Sequence, residues 1–330
     1  MSKNEVKLEN FLIPSTSIVE KEGKIFPTVL SMDIALSGGI PEGVSVLMSG
    51  KPKVGKTTLA LHYVQQCHRI SPEKKVFFFD VEGRLRSELL DCFPDINREN
   101  FNVVRSNDQK ILTAEDYLNL IYETLKDYPS CICILDSVAA LCPEAELSSN
   151  IGESVKMAST ATLMYKMFRR VSQILSVTKA TFIALTHMVA NPNPGPGKKS
   201  FAVGGNAPQY GASVWMEAAW KEDIKNSSNE SIGQKAHFSV VASALGPPGA
   251  DVAVPIIYGG GVDEQIDCFH IALDFGIIKR SGAWYSVDSS FLDSLDEDKK
   301  FQGQQNVVNF LKENESVYKE IDQYIRNISI

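Results

Sequence analysis

The chain has 330 residues, of which 44% are hydrophobic, so it is long enough for one large core and a smaller second core. Its 33 Lys and Arg residues against 40 Asp and Glu residues give a net charge of -7, which excludes a general attraction for nucleic acid. Six cysteines without a Cys-x-x-Cys pair, and the absence of a membrane-length apolar run, predict a cytoplasmic protein with reduced thiols and no membrane contact.

The pattern of apolar segments divides the chain into three parts. Residues 1–25 are polar around "FLIP" and predict an N-terminal arm and linker. Across residues 26–261, the apolar segments "VSVLMSG", "KVFFFD", "CICILD" and "ATFIALTH" alternate with helical patterns, which predicts an α/β core whose mostly parallel sheet is covered by helices. Residues 262–330 contain a helix, a hairpin-like "SGAWYSV", an acidic turn and a terminal helix, which predicts a small α+β C-terminal domain.

A phosphate-binding loop lies between the first of these apolar segments and a helical pattern. The stretch "GKPKVGKT" matches Gly-x-x-x-x-Gly-Lys-[Ser/Thr] in the strand-to-helix context that this motif requires. We expect it to bind ATP and Mg²⁺, with Lys56 at the terminal phosphates and the Thr57 hydroxyl on the metal. The predicted nucleotide contacts are Gly50, Lys51, Pro52, Lys53, Val54, Gly55, Lys56, Thr57 and Thr58.

Carboxylates follow two other predicted strands. Asp136 ends "CICILD" at the edge of the sheet where the phosphate loop also lies, so we expect it to hold Mg²⁺. Asp80 and Glu82 end "VFFFDVEG", where one carboxylate would orient and deprotonate a water molecule. From the residues alone, a solvated turn explains this second pair equally well.

The Pro- and Gly-rich stretch from His187 to Gly205 predicts a long functional loop without regular structure. Together with this loop, the segments "LSMDIALSGGIPEG", "FFFDVEG", "LDSVAALCPEAEL", "GGNAPQYGAS", "IIYGGG" and "IIKRSGAWYS" resemble the RecA-type homologous recombinases of bacteria and bacteriophages. The resemblance runs from Phe26 to Ile325. It implies a RecA-like P-loop ATPase that forms homo-oligomeric helical filaments on single-stranded DNA and exchanges strands with double-stranded DNA. Mediator or single-strand-binding proteins are further expected partners.

The same resemblance assigns roles around the nucleotide. Glu82 corresponds to the base that activates water, Lys56 to the phosphate lysine, and Asp136 to the second magnesium residue. His187 occupies the position of the sensor for the terminal phosphate, where bacterial members have Gln. Tyr258, in "IIYGGG", belongs to the nucleotide-binding set.

Two loops of the family face DNA, and they correspond here to residues 145–157 and 188–203. Backbone N–H groups and basic side chains bind phosphates without reading the base sequence, as a recombinase requires. The DNA-binding residues implied by the resemblance are Lys156, Arg169, Arg170, Lys198, Lys199, Gly204, Gly205 and Asn206.

Two departures from the family pattern concern the subunit interface and the adenine contacts. Tyr210 keeps the aromatic contact to the next subunit, but Ala242 and Ala244 replace two lysines that reach the neighbour's phosphates. We therefore expect slower hydrolysis, because a cation at the transferred phosphoryl group accelerates the reaction. Arg86 and Leu89 replace an acidic and an aromatic residue that contact adenine in relatives.

Two other readings remain open at this point. The early lysine of the phosphate loop, Lys51, also resembles that of the ParA and MinD type of partition ATPases. Alternatively, the missing interface lysines favour a RecA-like filament scaffold or regulator with weak ATPase activity and no strand exchange. DNA-stimulated phosphate release separates this scaffold from a recombinase.

Overall fold

A computed structural model describes residues 12, 23–150, 158–190, 200–202, 211–226 and 228–330. Within these ranges, no helix combines the length and the apolar character needed to cross a membrane. The strands are β1 (Ile25–Phe26), β2 (Ile40–Pro41), β3 (Ser45–Gly50), β4 (Val76–Asp80), β5 (Phe101–Val104), β6 (Ile132–Asp136), β7 (Thr181–Leu185), β8 (Met188–Ala190), β9 (Ser200–Ala202), β10 (Val214–Lys225), β11 (Ser231–Ser243), β12 (Asp251–Ile257), β13 (Gly261–Val262), β14 (Ile278–Ser281), β15 (Trp284–Val287) and β16 (Lys299–Gln302).

The α-helices surround these strands on both sides. They are α1 (Leu30–Ala35), α2 (Lys56–Ile70), α3 (Ser87–Leu90), α4 (Ala114–Asp127), α5 (Glu144–Leu147), α6 (Ala158–Thr178), α7 (Glu264–Asp274), α8 (Gln304–Glu313) and α9 (Glu315–Ser329). The longest is α6, with 21 residues.

A nine-stranded sheet forms the centre of the protein, in the order β13-β12-β11-β10-β3-β7-β6-β4-β5. The six strands from β10 to β5 run parallel to one another, while β11, β12 and β13 each pair antiparallel with their neighbours. The predicted α/β class with a mostly parallel sheet is therefore confirmed.

Alternate residues of the inner strands face two separate hydrophobic clusters. Ile132 and Ile134 of β6 lie in one cluster with α2, whereas Cys133 and Leu135 lie in the other with α4 and α6. This follows from the two-residue period of a strand, because successive side chains point to opposite faces. Both faces are covered, which explains why the strands are apolar throughout rather than alternating.

The predicted loop from His187 to Gly205 is wrong at its two ends. Strands β8 and β9 pair antiparallel there, with Met188 opposite Ala202 and Ala190 opposite Ser200. Pro and Gly content predicts where a chain turns, but it does not show that the flanking segments pair with each other. The part between these strands, 191–199, lies outside the described residues.

A third hydrophobic cluster organises the C-terminal part. Helices α7, α8 and α9 pack with the three-stranded sheet β14-β15-β16, and Leu30 of α1 joins the same cluster. The hairpin predicted at "SGAWYSV" corresponds to β14 and β15. Strand β16 was missed, because the acidic run before it predicts a turn and hides the short strand that follows. Strand β13, Gly261–Val262, still belongs to the central sheet.

Buried Asp267 links this C-terminal part to α1. Its carboxylate accepts the Ser31 hydroxyl at 2.5 Å and the Ser31 N–H at 2.9 Å. Burial, reinforced by the neighbouring carboxylates of Asp33 and Asp322, raises the pKa of Asp267 from 3.8 to about 7. The folded protein therefore keeps a proton here that the unfolded chain has released.

We expect Asp267→Asn to make the unfolding free energy less dependent on pH between pH 3.8 and about 7. In the parent, the unfolded chain binds fewer protons in this window, so stability falls as pH rises, by up to ~1.4 kcal/mol per pH unit. Urea unfolding at several pH values measures this slope. Asp298→Asn is the matched control, because exposed Asp298 accepts the same two groups from Ser289. An unchanged slope in Asp267→Asn would contradict the assignment.

Candidate nucleotide site

The candidate site residues lie close together because the parallel strands β4, β6 and β7 end at the same edge of the sheet. Asp80 at the end of β4 is opposite Asp136 at the end of β6, which in turn is opposite Leu185 at the end of β7. Glu82 and His187 follow two residues after β4 and β7, respectively. The carboxyl ends of these strands therefore deliver their polar side chains to one edge of the sheet.

Two glycines shape the phosphate loop between β3 and α2. A Cβ on Gly50 would lie 2.3 Å from the Ala218 carbonyl oxygen, so only glycine fits against the adjacent strand. Gly55 has φ of 109° and caps the N-terminus of α2 in the left-handed region. The loop consequently points the free N–H groups of the α2 N-terminus towards the cleft, as anion binding requires.

Lys56 is buried at the base of this loop. Its Nζ donates to the carbonyl oxygens of Gly50 at 3.0 Å and Lys51 at 2.8 Å, and lies 3.5 Å from Nδ1 of His187. Burial lowers the pKa of Lys56 to about 8, although the Asp136 and Glu82 carboxylates oppose this effect. A bound phosphate would supply the negative charge that favours the ammonium form.

Thr57 and Asp136 form the oxygen pair expected of a magnesium site. The Thr57 hydroxyl donates to Oδ2 of Asp136 at 2.8 Å. Burial raises the pKa of Asp136, and the Thr57 hydrogen bond opposes this rise. Hydroxyl and carboxylate oxygens are ligands that Mg²⁺ prefers, so this pair fits the metal. When bound, the metal would neutralise charge on the phosphates.

Glu82 is held by three donors. Its Oε1 accepts the Ser137 hydroxyl at 2.7 Å and Nε2 of His187 at 3.1 Å. Its Oε2 pairs with Nη1 of Arg84 at 2.8 Å. Burial raises the pKa of Glu82, but the hydrogen bonds from Ser137 and His187 and the Arg84 cation outweigh it and lower the pKa overall.

His187 contacts both Glu82 and Lys56. A neutral ring protonated on Nε2 donates to Glu82 and leaves Nδ1 to accept from Lys56. His187 therefore lies where a side chain could respond both to the phosphate and to the base.

Asp80 has a different environment from Glu82. Its carboxylate accepts the N–H groups of Arg84 at 3.0 Å and Leu85 at 3.1 Å, and Arg105 lies 3.3 Å away. These contacts fix the turn after β4. Both carboxylates line the cleft, but Asp80 accepts two backbone N–H groups of the turn, whereas Glu82 accepts side-chain donors.

The cleft next to these groups has a volume of about 500 Å³. Pro52, Thr58 and half-exposed Tyr258 line it as predicted, whereas buried Val54 packs into the core. Sequence reasoning missed Lys221 and Gln234, which line the cleft and are joined by a 2.8 Å hydrogen bond, with the Gln234 amide 3.5 Å from the Lys53 carbonyl of the loop. Their approach depends on antiparallel β10 and β11, which no local spacing reveals. Ser137 and Arg84 were also missed, although Ser137 directly follows Asp136 and Arg84 comes two residues after Glu82.

Arg86 and Leu89, which replace the adenine-contacting residues of relatives, lie in different positions relative to the cleft. Leu89 lines the cleft, while exposed Arg86 precedes α3 and is absent from the cleft wall. Lys51 contributes its carbonyl oxygen to Lys56, and its side chain is exposed.

The predicted DNA-binding arginines lie on α6. Arg169 and Arg170 are both exposed, and their guanidinium groups lie 5.4 Å from the Tyr165 ring centre and 3.9 Å from that of Tyr122, respectively. The remaining predicted DNA and filament residues lie outside the described residues: Lys156, Lys198, Lys199, Gly204, Gly205, Asn206 and Tyr210.

The two alanines lie at the end of β11. Ala242 is opposite Trp215 of β10 and partly buried, whereas Ala244 is exposed and donates its N–H to the Ser213 carbonyl. Neither lines the cleft of its own chain.

Comparison with known families decides the assignment. The RecA N-terminal domain model matches residues 18–263, and the RecA C-terminal domain model matches residues 267–328. The chain belongs to the RecA family. It is accordingly a DNA recombinase and a DNA-dependent ATPase, rather than a partition ATPase.

RecA proteins of several bacteria are similar along most of their length. Protein RecA of Oceanobacillus iheyensis is 30% identical over 298 residues, covering 90% of this chain and 81% of that protein. Protein RecA of Syntrophus aciditrophicus is 29% identical over 308 residues, covering 92% and 84%, respectively. The chromosomal RecA of Lactococcus lactis is 30% identical over 305 residues, covering 90% and 73%.

Proposed function

We propose that this RecA protein binds ATP and Mg²⁺ in the cleft, forms a helical filament on single-stranded DNA, and exchanges strands with a homologous duplex. The observation that supports it most strongly is the connected set Lys56, His187 and Glu82, with successive contacts of 3.5 and 3.1 Å. We assign to these three residues the roles of phosphate-binding cation, sensor and base, respectively.

In the proposed reaction, Glu82 accepts a proton from the attacking water through Oε2. Oε1 is already occupied by Ser137 and His187, which hold the carboxylate in a fixed orientation. Lys56, freed from the loop carbonyls, binds the terminal phosphate. A base held in a fixed orientation accelerates proton transfer from a correctly placed water molecule.

His187 is the proposed sensor because its chain position couples the cleft to the DNA side. Met188, the next residue, begins β8, and β8 and β9 lie towards the two ends of residues 188–203, which we propose as a DNA loop. A change in the Lys56–His187 contact on ATP binding would therefore act at the base of this loop.

The remaining assignments complete the proposal. DNA phosphates are bound by the eight residues named above, and Tyr210, Ala242 and Ala244 lie at the subunit interface. Tyr258 contacts the nucleotide, consistent with its place in the cleft. We also retain the division into residues 1–25, 26–261 and 262–330, a cytoplasmic location, and mediator or single-strand-binding proteins as partners.

We expect Arg169→Ala to weaken binding to single-stranded DNA equally for all sequences. Exposed Arg169 has its nearest described ring 5.4 Å away, which leaves its N–H groups free for a phosphate. The salt dependence should flatten by ~0.7 in log–log slope for one lost phosphate contact. Fluorescence anisotropy over a salt series measures both quantities. Lys126→Ala, an exposed cation on α4, is the control, and an unchanged slope in Arg169→Ala would contradict its role.

Joint-molecule formation tests the proposed function. With ATP, the protein should pair a single strand with a homologous duplex and leave a heterologous duplex unpaired. If filaments form on DNA but no joint molecules appear, the protein is a RecA-like scaffold, as the missing interface lysines would favour.

A further inference from the structure

Arg84 lies in the turn after β4 and reaches back to the base. Its Nη1 is 2.8 Å from Oε2 of Glu82, and its side chain is 79% exposed. The same side chain lines the nucleotide cleft. Arg84 therefore contacts both the residue proposed to activate water and the space in which the terminal phosphate would lie.

The oxygen that Arg84 covers is the one that catalysis needs. Oε1 of Glu82 already accepts from Ser137 and His187, so Oε2 is the oxygen with capacity for a water proton. With Arg84 on Oε2, one acceptor position of that oxygen is taken, and the guanidinium charge lowers the pKa of Glu82. Movement of the guanidinium away from Oε2 therefore makes Glu82 a stronger base.

A terminal phosphate would draw the guanidinium away from Glu82. Exposed ion pairs are weak, because water screens both charges and two long side chains lose freedom. A phosphate offers more negative charge and two oxygens that match the parallel N–H groups of a guanidinium. Exchange of partners from carboxylate to phosphate is therefore favourable once ATP is bound.

The other cations on the described cleft wall are less suited to this task. Lys56 is held at the phosphate loop, and Lys221 donates to Gln234 at 2.8 Å. Lys53 lies within the phosphate loop, whereas Arg84 belongs to the same turn as Glu82. Ala242 and Ala244 supply no charge.

We propose that Arg84 is a catalytic residue of ATP hydrolysis that acts within its own subunit. In the resting protein it covers Oε2 of Glu82; with ATP bound, its guanidinium moves to the terminal phosphate and frees that oxygen. Water then forms a bond to the terminal phosphorus and gives its proton to Oε2. The bond from phosphorus to the bridging oxygen breaks, and its electron pair leaves with ADP.

This inference rests on the proposed ATPase role of Glu82, and its first test is a set of substitutions. Arg84→Ala should lower kcat on the order of 10³-fold, the lower end of arginine-finger effects, with little change in KM. Arg84→Lys should recover part of the rate, because an ammonium keeps the charge but loses the paired N–H groups. Arg98→Ala, which breaks an exposed Arg98–Asp91 pair outside the cleft, should match the parent.

The readout is steady-state phosphate release from ATP on single-stranded DNA, with thermal melting to confirm folding. An unchanged or increased kcat in Arg84→Ala would overturn the proposal. Arg84 would then have no effect on hydrolysis, or would only inhibit it by covering Oε2 of Glu82. Equal losses in Arg84→Lys and Arg84→Ala, with normal melting, would contradict the expected contribution of a positive charge at this position.

Mixed filaments test whether Arg84 acts in its own subunit. The Arg84→Ala and Glu82→Gln proteins are mixed on one DNA strand. If Arg84 and Glu82 of an ATP site come from the same chain, no site in the mixed filament contains both side chains. Phosphate release should then stay at the level of the separate variants. Recovery of activity in the mixture would overturn action within the subunit, because it needs Arg84 of one chain beside Glu82 of the next.

Glu82→Gln alone separates this inference from the proposed function. If Glu82→Gln hydrolyses ATP at the parent rate, the base assignment is wrong regardless of Arg84. If Glu82→Gln is inactive but Arg84→Ala matches the parent, only the inference about Arg84 fails.

Discussion

Lys56→Ala should abolish tight ATP binding and, with it, DNA-dependent hydrolysis. The variant loses the cation for the terminal phosphates and also leaves the Gly50 and Lys51 carbonyls without their donor. We expect at least a 10³-fold loss of kcat/KM, because binding and transition-state stabilisation are lost together. Calorimetry with a slowly hydrolysed ATP analogue measures the affinity, and phosphate release measures the rate.

Two lysines serve as comparisons for this result. Lys75→Ala, an exposed residue just before β4 at the opposite end of the sheet, should behave as the parent. Lys51→Ala should lose less affinity than Lys56→Ala, since Lys51 is exposed and is not among the residues that line the cleft. Unchanged affinity in Lys56→Ala, or an equal loss in Lys51→Ala, would contradict our account of the loop.

Glu82→Gln should bind ATP and DNA but hydrolyse slowly. The amide keeps the shape of the side chain and can still accept from Ser137 and His187, but it cannot take a proton from water. The expected loss in kcat is ~10²–10⁴-fold, the usual contribution of a general base.

Glu88→Gln provides the matched control for this variant. Glu88 is an exposed acid at the start of α3 that accepts the Ser87 hydroxyl at 3.4 Å and does not line the cleft, so its replacement by an amide should leave the rate unchanged. Parent-level phosphate release by Glu82→Gln would show that another group activates the water.

Some residues of the candidate site could be predicted because they belong to local sequence motifs. The phosphate loop is a continuous motif between a strand and a helix, and Asp136 directly ends an apolar segment. Their convergence follows from parallel pairing, since Asp80 and Asp136 are opposite each other at the same edge. Composition alone could not separate Asp80 from Glu82, because the difference lies in which N–H groups each carboxylate accepts.

The residues that sequence reasoning missed depend on pairing between distant segments. Lys221 and Gln234 meet in the cleft because β10 and β11 form a long antiparallel pair beyond the parallel part of the sheet. Strands β8 and β9 pair although a Pro-rich segment separates them in the sequence. Strand β16 was not predicted because the acidic residues before it indicate a turn. Arg84 was overlooked for another reason, because an arginine in a turn usually only contacts solvent.

Phosphate release with and without single-stranded DNA, across a range of protein concentrations, tests the central claim most directly. Our account predicts that ATP hydrolysis requires DNA and rises with concentration as filaments assemble, and that Glu82→Gln removes the DNA-dependent part. Hydrolysis at the same rate without DNA and independent of concentration would contradict a filament-dependent recombinase ATPase.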